Sequence, residues 1–194
     1  MRADAWVDTI FSIVLAAVLV SVLVLALIAT RRPTGPLVVT AGALAVAGLV
    51  AVAVLRWGAP APLAALIALL AVAAATVGGD PFVRWVLDIA DGGRTPEGSR
   101  GGILVELMHE RAAAPRQEEI LRGGTTIGYL ERLAAALSLV VGFPAAIAVI
   151  VALKGVGRFS ELATPAARER FIVGTLASLL WACTVSGVAA LAVH

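Results

Sequence analysis

Apolar residues dominate four long stretches of the chain, Val7 to Thr30, Pro36 to Leu55, Pro62 to Val77 and Phe171 to Val193. A helix needs about 17 to 25 residues to cross a bilayer, so three of these are long enough outright and the third in order, at 16, is marginal. The first is expected to stay as a membrane helix. Its apolar run from Ile10 to Ala29 exceeds the roughly 7 to 15 residues of a signal-peptide core, and Asp4 and Asp8 stand where such a signal is basic. Arg31, Arg32 and Pro33 stop the first helix, Arg56 and Trp57 mark the second at an interface, and Pro62 suits the first turn of the third.

A fifth apolar region, Leu133 to Leu153, has the length of one span but is interrupted midway by Gly142-Phe143-Pro144. Gly just past one helix end and Pro in the first turn of the next predict a helical hairpin turning at 142 to 144. A kinked single helix is the alternative. Basic residues separate the two. With one helix here, nine basic residues (Arg31, Arg32, Arg84, Arg94, Arg100, Arg111, Arg116, Arg122, Arg132) face six (Arg2, Arg56, Lys154, Arg158, Arg168, Arg170). With a hairpin, Arg31, Arg32, Arg84, Arg94, Arg100, Arg111, Arg116, Arg122, Arg168 and Arg170 share one side, ten against Arg2 and Arg56. The excess of Lys and Arg in cytoplasmic loops therefore favours six membrane helices over five, with both ends outside.

Composition agrees with the pattern. Of 194 residues, 60% are hydrophobic and 14% charged, against roughly 25% charged in soluble domains. The expected fold is all-α, a polytopic transmembrane bundle in a cell membrane. It divides into a three-helix region (1–79), a polar cytoplasmic segment (80–122) and a hairpin plus final helix (123–194). Cys183 is the only cysteine, so neither a disulfide framework nor a Cys-based metal site is expected. Fourteen Arg and one Lys are dispersed among 13 acids and aromatics make up 5%, which supports no nucleic-acid surface.

The polar segment opens with Phe82, Trp85, Val86 and Ile89 on one helical face, opposite Arg84, Asp88 and Asp91, a face suited to the membrane interface. Residues 91–102 are Gly-rich and read as a linker. A phosphate-cradling loop needs Gly-Lys-Ser/Thr, and the chain's only lysine is Lys154. Ile103 to Ala114 is expected to be a short amphipathic helix carrying Glu106, His109 and Glu110 on one face. Di-iron bundles use two Glu-x-x-His motifs and further Glu, so solvated charge is the simpler reading, and no metal or cofactor is expected.

If the hairpin forms, Glu131 lies eleven residues before Gly142 and Lys154 ten after Pro144, both roughly 15 Å from the turn. Charged groups at that depth are costly unless paired, which singles out Glu131, Arg132, Lys154 and Arg158, with Glu161 a further partner. A pairing of Glu131 with Lys154 or Arg158 is expected. The cluster either fixes helix packing or forms a substrate or ion path; an anion, a lipid phosphate or snorkelling could offset its positive excess. In the last helix Gly174, Ser178, Ala182, Ser186 and Ala190 recur every four residues, a small-residue stripe that allows close helix approach.

Three motifs in order, Gly124-Thr-Thr-Ile-Gly-Tyr-Leu-Glu-Arg132, Lys154-Gly-Val-Gly-Arg158-Phe-Ser-Glu161-Leu162 and Gly174-Thr175-Leu-Ala-Ser178, resemble a group of bacterial integral membrane proteins known only as a domain of unknown function. The resemblance spans about 55 residues and implies a membrane fold, with no activity. Of the function classes, a non-catalytic membrane module fits best, associating with a protein partner or with itself through residues 80–122. A small ion or anion transporter or channel subunit is the alternative. An enzyme fits least, since no catalytic constellation is present.

Overall fold

The computed structural model describes residues 2–32, 34–55, 58–92, 103–107, 116–120, 124–157 and 165–193. They form α1 (Arg2–Arg31), α2 (Gly35–Leu55), α3 (Ala61–Asp91), β1 (Ile103–Leu107), β2 (Arg116–Ile120), α4 (Gly124–Val140), α5 (Ala146–Gly157) and α6 (Pro165–Val193). Among the described residues four helices, α1, α2, α3 and α6, are long and apolar enough to cross a membrane. The chain is a membrane protein built as a helical bundle.

The centre of the bundle mixes alanines with Leu, Val, Ile and one Trp. α3 lies against α1, α4 and α6, while α2 packs on α1 and α6. The buried core joins Leu15, Leu19 and Val22 of α1, Ala41, Ala45 and Val52 of α2, Ile67, Ala71 and Ala74 of α3, and Trp181, Val185, Val188 and Ala189 of α6. In lipid the hydrophobic effect does not draw helices together, so close backbone approach through Ala and Gly supplies the dispersion contacts. Leu69, Leu176 and Leu180 point outward, 63–70% exposed, as lipid-facing leucines do. At one end of the bundle, the Ala59 N–H donates to the Ala192 carbonyl at 2.9 Å, tying the α2–α3 connection to the last turn of α6.

The turn between α4 and α5 follows the Gly-Pro chemistry of the sequence. Gly142 adopts φ 77°, and the N–H groups of Phe143 and Gly142 donate to the carbonyls of Ser138 and Leu139 at 2.7 and 3.1 Å. That 6→1 and 5→2 pair is a Schellman cap, satisfying carbonyls that the helix end would leave bare in lipid. Among the described residues there are six helices, yet α5 has 12 residues, a rise of about 18 Å against a hydrocarbon core of about 30 Å. It packs on α4 and none of its residues is buried.

Two expectations are corrected. α3 does not end near Val77. It runs through Pro81 to Asp91, capped by Gly92 at φ 64°, so the boundary drawn at 79/80 falls inside a helix. Phe82 stacks on Trp181 with ring centroids 5.4 Å apart, which places it within the bundle and not on a separate interfacial helix. Second, Ile103–Leu107 is strand β1, antiparallel to β2 from Ile103↔Ile120 to Leu107↔Arg116, where an amphipathic helix was expected. Its Ile-Leu-Val start favours a pleated strand, and pairing with β2 satisfies backbone groups that a helix so short could hold only marginally.

Candidate functional site: a charged layer inside the bundle

Glu131 and Arg132 are neighbours on α4 and so point about 100° apart around its axis. Each meets a different helix. Arg132 turns into the bundle between α3 and α6 and is 3% exposed. Its Nε donates to the Thr76 carbonyl at 2.9 Å, its Nη1 to the Ser178 hydroxyl at 3.3 Å, and its guanidinium lies 4.9 Å from the centroid of the Tyr129 ring one turn earlier. Nη2 is buried with no acceptor. Asp80 lies one turn on from Thr76, and its carboxylate is bonded to Arg84 at i+4.

Glu131 faces α5 instead. Its carboxylate takes the Lys154 ammonium at 2.5 Å, with the two side chains 12% and 15% exposed, and the Lys154 Nζ lies 5.8 Å above the Phe171 ring of α6. Lys154 is in the last turn of α5, so one ion pair and one cation–π contact hold the return leg of the hairpin to α4 and α6.

Two adjacent glycines on α3 make room for this layer. A Cβ on Gly79 would overlap Cδ of Arg132, and one on Gly78 would overlap the ring of Trp181. Trp181 in turn donates its indole N–H to the Ala74 carbonyl at 3.1 Å. One turn later Pro81 cannot donate to the Val77 carbonyl, which opens the α3 hydrogen-bond ladder just beyond the docking surface for Arg132.

The position of the layer along the bundle follows from α3. Trp85 packs on Gly35 at the start of α2, its indole Nε1 3.2 Å from where a Cβ would be. Thr76 and Gly79 lie six to nine residues further in, about 9 to 14 Å. Arg132 is enclosed there by protein, 3% exposed. Its neutral partners and the glycine slot hold it where water is scarce.

Of the residues singled out from sequence, the structure brings Glu131 and Lys154 into direct contact and places Arg132 beside them on a different face. Arg158 and Glu161 lie outside the described residues, as do His109 and Glu110. Ser178, Ala182 and Ser186 are buried, and a Cβ on Gly174 would meet Val83 and Leu87 of α3 at 3.7 Å. Ser178 also supplies a hydroxyl to Arg132, a polar role beyond packing. The sequence reading missed Thr76, Gly78, Gly79 and Asp80. Its available signal was Gly-Gly-Asp-Pro flanked by apolar helix on one side and Phe82-Val83 on the other, which resembles a loop unless the helix is continued through proline. Among the described residues no group of three or more His, Cys, Asp or Glu could hold a metal ion.

No protein-family model matches the chain, and no curated protein and no solved structure matches it significantly.

Proposed function

We propose that this chain is a non-catalytic, multi-pass protein of the bacterial cytoplasmic membrane that acts by association, its polar connection between α3 and α4 making the contact. The observation that carries this reading is the β1–β2 ribbon. Five residues a side is marginal for an isolated two-stranded ribbon in water. Among the described residues each strand pairs on one side only, so each offers an edge to which a further strand can add. The internal charges support the same reading, because Glu131–Lys154 is a pair that holds α5 to α4 and Asp80–Arg84 is a pair within α3. The ten-to-two distribution of basic residues favours the cytoplasmic side for the ribbon.

Photo-crosslinking from position 104 in living cells tests this. A discrete adduct is expected, and Val105→Pro, which removes a strand N–H, should abolish it while the helical bundle keeps its thermal stability. An adduct indifferent to Val105→Pro would sink the ribbon as the contact.

A second reading, an anion-handling transporter subunit, is favoured by one observation: the spare Nη2 donor of Arg132 in the bundle interior. Beyond Arg132, however, the interior is filled by Trp181, Ala74, Ala71 and Ile67, so a path would need a second subunit. Anion flux into liposomes that is lost in Arg132→Gln would establish that reading in place of the first.

A further inference from the structure

Asp80 lies between Arg84, to which it is bonded, and the stretch of α3 on which Arg132 rests. It lies one turn beyond Thr76, whose carbonyl receives Arg132 Nε, and next to Gly79, against which the Arg132 side chain rests. It is bonded to Arg84, one turn further along α3. Arg132 meanwhile keeps Nη2 buried and without an acceptor. The two cations differ in exposure: the Arg84 side chain is 40% exposed, whereas Arg132 is enclosed. Arg84 also precedes Trp85, which packs beside the start of α2. The same end of the bundle carries Arg31 and Arg32 at the end of α1 and Arg168 and Arg170 at the start of α6. Such a basic rim attracts anionic headgroups, and a guanidinium binds phosphate through two parallel hydrogen bonds.

We propose that Arg84 binds the phosphate of an anionic lipid headgroup and that this phosphate, by taking Arg84, releases Asp80 to pair with Arg132 Nη2. The exchange moves an ion pair from a partly exposed position to an enclosed one, where the same two charges attract more strongly, and it supplies the acceptor that Nη2 lacks. Anionic lipid thereby tightens the junction of α3, α4 and α6. The inference requires the bilayer placement alone and stands apart from the role proposed for the ribbon.

The test uses the full chain in nanodiscs of phosphatidylcholine, with and without phosphatidylglycerol, read by thermal unfolding. Phosphatidylglycerol is expected to raise the Tm of the wild type by about 3 °C. Arg84→Gln should lose that response and in phosphatidylcholine alone should already unfold at the higher temperature, because its Asp80 is permanently released. Asp80→Asn should also lose the response, Arg84→Lys should keep it, and Asp88→Asn, at the next acid on the same face, should keep it in full. A wild-type response in Arg84→Gln or Asp80→Asn overturns the proposal. So does an equal shift from millimolar inorganic phosphate in phosphatidylcholine discs, which would make the ligand a free anion. Should Asp80→Asn fail to fold, Arg84→Gln decides: a Tm below wild type in phosphatidylcholine refutes the exchange.

Discussion

Gly78 and Gly79 are adjacent on α3, about 100° apart around its axis, and each receives a side chain from a different helix. Trp181 of α6 occupies the first and Arg132 of α4 the second. A methyl group at either place meets a ring or a guanidinium stem with nowhere to retreat, and overpacking of that kind costs about 1 to 3 kcal/mol or more. Gly79→Ala and Gly78→Ala should each lower the Tm in detergent by several degrees, while Gly155→Ala, where a Cβ meets nothing within 4 Å, should leave it level or raise it. The Glu131–Lys154 pair makes a second residue-scale prediction. Removing one partner strands the other at 12–15% exposure, so Glu131→Gln and Lys154→Met should each destabilise, near the lower end of the ~3–5 kcal/mol measured for broken buried pairs. The double mutant should recover part of the loss. Additive losses in a double-mutant cycle would show that the two charges are not coupled.

At the scale of elements, the hairpin was legible because its signal is local: Gly for a positive φ and Pro for a first turn sit side by side in the chain. Gly142→Val should therefore cost about 1 to 2 kcal/mol through its left-handed φ, with the Tm falling more than for Val141→Ala next to it. The four long spans were legible from length and apolarity alone. The continuation of α3 was not. Gly-Gly-Asp-Pro carries breaker chemistry in water, and what keeps it helical is tertiary: Trp181 and Arg132 fill the glycine faces, and Arg84 pairs with Asp80 across one turn. β1 was misread for a related reason. Ile103, Leu104, Leu107 and Met108 have helical spacing, and only the distant partner β2, nine residues past Leu107, decides for a strand. Within the charge layer, the pairing of Glu131 with Lys154 could be anticipated from equal distances to a recognisable turn. The inward aim of Arg132 could not, since it depends on a slot in α3 more than fifty residues away.

For the whole molecule, the charge count and the hairpin make one joint prediction. Cysteines placed at Ser99 and Thr164 should be labelled from the same side of the membrane by an impermeant maleimide; labelling from opposite sides would mean that residues 124–157 cross an odd number of times. The order of the elements carries a different consequence. α6 supplies Trp181, Val185, Val188 and Ala189 to the core, and its end is clasped by the α2–α3 connection through Ala59 and Ala192, yet it follows α3 by more than seventy residues. A ribosome adding about 5 to 20 residues per second takes roughly 4 to 15 seconds to bridge that gap. Throughout it, α1 to α3 stand in the bilayer with the slot at Gly78 empty. The newborn bundle is thus an open cup, exposed for seconds to other membrane helices and to proteolytic surveillance, until its own late helix arrives to close it.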